Sequence, residues 1–284
     1  MDIIYRYDPF QPALRSEPAN AEEALAALTL GNARFAGLVA QMQRVTLGEK
    51  LDGPLVIPIS PLSLGLPLWS GAVHQQAPFA LVLGCADARV PIETILDQGF
   101  NDLFAVRIAG NVLGTECLGS IDYAVRHFGD SLRVVVVLGH SGCGAVSAAV
   151  DTYLSPSDYA EIAATHALRS LVDRIMIAVR GAAKALERVG GREVRKRPGY
   201  RELLVETAVY LNAAITAYDL SRELAVLDHR AVSVVYGVYD LSTLRVHSRP
   251  DDAGGSPPFG SAAVQPDDFV AIASSIAAAV LAGI

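Results

Sequence analysis

Four consecutive valines, Val134 to Val137, followed by Leu138, make the most β-branched run in the chain. A run with no polar face fits a strand covered on both sides, and it belongs at the centre of a sheet. Two more short apolar runs, 79–83 and 103–107, precede it, and a fourth, 232–236, follows late in the chain. The segments between them carry helical spacing and helix punctuation. Asn20 stands as an N-cap for a helix over 21–38, with Glu22 and Glu23 in its first turn and Leu25, Leu28, Leu30 and Phe35 as apolar contacts. Pro91 opens a short helix over 92–97, Gly129 ends one over 118–128, and 144–150 continues as helix. Residues 157–188 and 200–226 read as long helices around a polar loop, 190–199. Tyr239 and Leu244–Val246 are expected to form a hairpin with the last strand.

Continuous apolar strands alternating with helices imply an α/β fold with a mostly parallel sheet covered on both faces. In such sheets, sites form beyond the carboxyl ends of the strands. That rule gives meaning to the residues found there. Cys85-Ala86-Asp87-Ala88-Arg89 directly follows the first core strand, and His140-Ser141-Gly142-Cys143 directly follows the valine strand. Two thiols, one imidazole and an Asp/Arg pair are thus gathered at one sheet edge.

Cys85, His140 and Cys143 form a three-ligand set suited to Zn²⁺, one ion per chain, with a fourth position for water or a carboxylate. Cys143 sits at a helix entrance, where backbone N–H groups favour a thiolate and lower its pKa. Asp87 either coordinates the ion or accepts a proton from its water, with Arg89 keeping it ionised and oriented. Two thiolates and a neutral imidazole cancel the charge of the ion. Its water should then be less acidic than that of a three-histidine zinc, about pKa 7, and activity should rise toward alkaline pH. The substrate class is a small electrophile able to take a hydroxide.

Other features narrow the field. The net charge of −7 argues against a nucleic-acid partner, and Arg195-Lys196-Arg197 reads as a solvated loop. Three cysteines cannot build a disulfide framework, which points to a reducing, cytoplasmic setting. Cys117 reads as a helix-face core residue, His74, His166, His229 and His247 lack metal-type neighbours, and His127 ends a helix where a cation is favoured. The N-terminus lacks the pattern of a signal peptide. The uncharged stretch 54–73 carries four prolines and reads as an extended arm, not a membrane span. A last helix over 269–284 shows an apolar stripe at steps of three or four, for packing on the body or on a partner subunit. No membrane partner is expected. The whole of 1–284 reads as one domain, with an N-terminal helix and Pro-rich arm (1–78), an α/β core (79–248) and a C-terminal extension (249–284).

The two chemistry-bearing segments resemble those of the β-class carbonic anhydrases. Cys85-Ala86-Asp87-Ala88-Arg89-Val90 is similar to that family's C-x-D-S-R-V, and His140-Ser141-Gly142-Cys143-Gly144-Ala145 to its H-x-x-C-G-A. Gly31-Asn32-Ala33-Arg34-Phe35, 104–111, 119–125 and 236–241 extend the resemblance over roughly 21–248. It implies Cys85, His140 and Cys143 as zinc ligands, Asp87 and Arg89 as a catalytic dyad, and reversible hydration of CO₂ to bicarbonate. In the family's closed form, Asp87 itself would take the fourth metal position. The resemblance further implies four parallel strands with an antiparallel edge strand, and a homodimer or dimer-based oligomer embraced by the arm. Rival readings are carbon disulfide or carbonyl sulfide hydrolysis on the same centre, and a non-catalytic assembly protein stabilised by zinc. Four departures stand out. Ala88 replaces Ser, Ile108 stands where Asn is frequent, and Val82 lies where the bicarbonate-inhibited subgroup tends to carry Trp. Leu244 holds a turn position commonly occupied by Gly, so an irregular last hairpin is expected. Val90, Arg107 and Tyr239 remain compatible with that subgroup's bicarbonate pocket.

Overall fold

A computed structural model describes residues 3–6, 17–50, 53, 55–58, 71, 75–162, 164–226, 232–250 and 257–283. In chain order the elements are β1 (Ile3–Arg6), α1 (Ala21–Thr46), β2 (Leu55–Pro58), β3 (Ala80–Gly84), α2 (Ile92–Ile95), β4 (Leu103–Arg107) and α3 (Thr115–His127). They continue with β5 (Val134–His140), α4 (Gly144–Leu154), α5 (Tyr159–Ile162), α6 (His166–Gly190), α7 (Tyr200–Val226), β6 (Ser233–Tyr239), β7 (Val246–His247), β8 (Gly260–Ser261) and α8 (Asp268–Ala282).

Among the described residues the main sheet runs β4-β3-β5-β6-β7, with β8 also paired to β6. The four long strands are mutually parallel. The antiparallel part is two short pieces, β7 against Val238 and Tyr239 and β8 against Val235 and Tyr236. The valine run is central, and every residue of β5 is buried. β4, at the edge, is only partly covered. Alternation along the strands splits the core in two. Leu81, Leu83, Val135 and Val137 face the cluster built with α3, α4, α6, α7 and α8. Ala80, Val82, Val134, Val136 and Leu138 face a smaller cluster closed by α1 and α2.

α1 begins where its cap predicts. Asn20 Oδ1 accepts from Glu23 N at 3.0 Å, and the Glu23 carboxylate accepts from Ala19 N at 2.9 Å, a reciprocal capping arrangement. Its buried stripe is Ala24, Leu28, Gly31, Asn32 and Ala36. A Cβ on Gly31 would stand 1.9 Å from Leu96 O, so glycine is what lets α1 seat on the backbone after α2. The helix runs to Thr46, past the apolar pattern, because its last turns are solvent-facing helix formers.

Two expectations need correction. Residues 157–188 are not one helix. A 3₁₀ turn at Pro156–Asp158 and the single turn of α5 precede α6, which starts after Thr165, whose Oγ1 accepts from Leu168 N at 3.2 Å. The 190–199 loop contains a 3₁₀ turn, Arg192–Lys196, that buries Val194. Its basic cluster is paired, Arg195 with Glu187 and Lys196 with Glu193. α8 packs against α6 and α7 of its own chain, and Arg188 reaches Ser274 Oγ at 3.2 Å. Most of the Pro-rich arm lies outside the described residues, as do His74 and His229. Its described piece, β2, pairs in parallel with β1. Among the described residues, no helix is long and apolar enough to cross a membrane.

Candidate metal centre

Three chain segments deliver the cluster. Cys85 is the first residue past β3, His140 ends β5, and Cys143 is the N-cap of α4. Parallel pairing of β3 with β5 puts Gly84 opposite Leu138, so residues 55 positions apart in sequence leave the sheet side by side. Gly142, at φ +62°, makes the turn between the second and third residues in a conformation that favours glycine.

The potential donor atoms of Cys85, His140 and Cys143 all lie within 4.8 Å of one another, and the three residues are buried. The two Sγ atoms are 4.0 Å apart. Two sulfurs at 2.3 Å from a tetrahedral ion would stand about 3.8 Å apart. His140 Nδ1 is 3.0 Å from Ser141 O, which assigns the ring proton to Nδ1 and leaves the Nε2 lone pair facing the thiols. That Nε2 is buried with no hydrogen-bond partner. A buried orphan acceptor beside two thiols fits a metal ion better than any neutral packing arrangement.

Without a cation the thiols share one negative charge. Cys85 is pulled well below the usual thiol range, chiefly by the hydrogen bond from Cys143, against burial and with help from the backbone N–H groups of Asp87 and Gly110. Cys143 is pushed up by the same bond, by burial and by the Cys85 charge. This reverses the sequence expectation for Cys143. Amides at the start of α4 do favour its thiolate, but a thiolate 4.0 Å away outweighs them. A divalent ion removes the conflict by accepting both sulfurs as thiolates.

Asp87 lies beside the cluster, outside it. Arg89 donates to it through Nε at 2.9 Å, Nη2 at 2.7 Å and its own backbone N at 2.9 Å. These bonds hold the Asp87 carboxyl well below the usual carboxylate range. Its Oδ2 is 3.7 Å from His140 Nε2, too far for a hydrogen bond and near enough to face whatever that nitrogen faces.

Two further residues shape the site in ways the sequence did not announce. Arg107, at the end of β4, donates from Nε to Cys85 O at 3.1 Å and from Nη2 to Asp87 O at 2.6 Å, clamping the loop that carries both. In the sequence it stands at the end of an otherwise apolar strand and within the 104–111 resemblance, neither of which announces this clamp. Gly110 N donates to Cys85 Sγ at 3.3 Å. A cavity of about 730 Å³ lies at the opposite, amino edge of the sheet, lined by Phe79, Asp102 and Arg133 among others, and carries none of this chemistry.

A family model described as carbonic anhydrase matches residues 80–246. "Carbonic anhydrase 2" of Mycobacterium tuberculosis is 49% identical over 81 residues, 28% of this chain and 38% of that protein. A carbonic anhydrase of Mycolicibacterium smegmatis is 41% identical over 118 residues, 42% of this chain and 53% of that one. The matched part thus spans less than two thirds of either relative. Among solved structures, one of two tetrameric β-carbonic anhydrases from Sordaria macrospora aligns at TM-score 0.46 and 22% identity, covering 61% of this chain and 80% of that one.

Proposed function

The chain belongs to the β-class carbonic anhydrase family, and from that premise we propose that it catalyses the reversible hydration of CO₂ to bicarbonate and a proton with one zinc ion per chain. The observation that carries the reading is the buried Cys85–His140–Cys143 set, with its orphan Nε2, beside an arginine-locked carboxylate.

In this reading Cys85 and Cys143 hold the ion through Sγ and His140 through Nε2, with Ser141 O fixing the histidine tautomer. Bound there, zinc would supply Lewis acidity that makes a water molecule a nucleophile, increasingly so toward alkaline pH. Asp87 supplies geometry more than basicity. A carboxyl held so acidic by Arg89 keeps no proton at neutral pH, so it serves as a fixed hydrogen-bond acceptor that orients a water beside the ligands. The proton released in hydration must then leave to solvent buffer. Arg89 keeps the carboxylate turned to itself, so Asp87 would enter the ligand set only by giving up that pair. Arg107 holds the 85–87 loop by its carbonyls, and Cys85, His140 and Cys143 are themselves buried.

We extend the reading to a homodimer or dimer-based assembly and to one domain over 1–284, with its 79–248 core carrying the chemistry. The test is stopped-flow CO₂ hydration on metal-loaded protein at alkaline pH. Turnover well above the buffer rate is expected, and Asp87→Ala should abolish it while zinc stays near one per chain. A wild-type rate indistinguishable from buffer with zinc bound overturns the proposal.

A further inference from the structure

Within the loop from His140 to Cys143, Ser141 makes the hydrogen bonds that reach the end of β6 and the turn after it. Its N donates to Tyr239 O at 3.0 Å, its Oγ accepts from Leu241 N at 2.9 Å, and its O meets His140 Nδ1. Tyr239 ends β6, and Leu241 lies in the turn that follows it. That turn is tightly wound. Leu244 N donates to Asp240 O and Asp240 N to Arg245 O, both at 2.8 Å, while Asp240 Oδ1 accepts from the N of Ser242 and of Thr243 at 2.7 Å.

Closing the turn forces Leu244 to φ +62°, the irregularity expected of a leucine at a glycine position. Left-handed backbone at a residue with a side chain is disfavoured by a factor of roughly five to thirty in an equilibrium constant, so it persists only when its surroundings over-determine it. Besides the bonds of the turn itself, the surroundings include one side chain from far back in the chain. Asn32, buried on α1, donates from Nδ2 to Leu244 O and to Ile95 O, each at 3.0 Å, and accepts at Oδ1 from Val246 N at 3.0 Å. Its amide thus grips the backbone on both sides of Arg245.

We propose that Asn32 is a positioning residue for the metal centre: it holds Leu244 in its left-handed conformation and, through the 240–246 turn and Ser141, keeps His140 and Cys143 in ligand geometry. The inference rests on the metal reading above but not on the reaction. Zinc release therefore tests it without reference to turnover.

Zinc-loaded protein is mixed with an excess of a chromophoric chelator and the release rate is followed. Asn32→Ala should release zinc about tenfold faster, the scale set by the left-handed penalty. Adding Leu244→Gly to that variant removes the penalty and should return the rate to within about threefold of wild type, while Leu244→Gly alone changes it little. A lost helix contact of no special role would also speed release, but glycine at 244 would not repair it. That result, or wild-type release from Asn32→Ala, overturns the proposal. Should Asn32→Ala fail to fold, Ser141→Ala cuts the same path at Leu241 N with α1 untouched, and release at the wild-type rate then overturns it. Wild-type protein that takes up no zinc sinks the metal reading itself, a different failure.

Discussion

Glu206, in the second turn of α7, is a partly buried carboxyl that the catalytic proposal does not use. Burial first, and the neighbouring Asp240 charge second, push it up to about 6 from an ordinary 4.5. A carboxyl with a raised folded-state pKa favours the fold while protonated. That contribution is complete below 4.5 and is lost as pH rises through 6. At 1.36 kcal/mol per tenfold change, the ionised carboxylate costs the fold about 2 kcal/mol at pH 8 and under about 1 kcal/mol at pH 5. Glu206→Gln keeps the shape and removes the charge. Urea unfolding at one protein concentration should show the variant more stable than wild type by about 2 kcal/mol at pH 8, with the gain shrinking by more than half at pH 5. An equal gain at both pH values would mean that the carboxylate charge is not the cause. A loss at pH 8 would mean that Glu206 has a stabilising partner, and the reasoning fails.

Two further outcomes follow from the geometry. Metal-free protein should carry one thiolate in the cluster at neutral pH, seen as ultraviolet thiolate absorbance that persists well below the usual thiol range and is lost in Cys85→Ser; two thiolates at pH 7 would contradict the shared-charge account. Gly31→Ala, whose Cβ would meet Leu96 O at 1.9 Å, should destabilise the fold by about 1–3 kcal/mol in denaturant unfolding, and an unchanged midpoint would show that α1 does not seat as described.

The strands were legible because burial on both faces leaves a continuous apolar signature, as in Val134–Leu138. The Cys85 and His140 segments were legible because parallel pairing forces strand ends to one edge. What escaped had no local signature. β8 is two residues inside a Pro/Gly-rich stretch, made a strand only by contact with β6. The break before α6 hid behind an uninterrupted polar–apolar pattern, with Thr165 as its one sign. Asn32 and Arg107 were visible as members of familiar segments, yet their roles consist of bonds to backbone far along the chain. Asn32 reaches 63 and 214 residues away, and no window of sequence contains both ends of such a bond.

That 214-residue reach also has a consequence for timing during synthesis. At 5–20 residues per second, Val246 emerges roughly 10 to 40 s after Asn32. Cys85, His140 and Cys143 leave the ribosome well before that, onto a nascent chain whose clasp does not yet exist. On the Asn32 proposal, metal captured early would exchange more freely than metal bound after residues 32 and 246 have met.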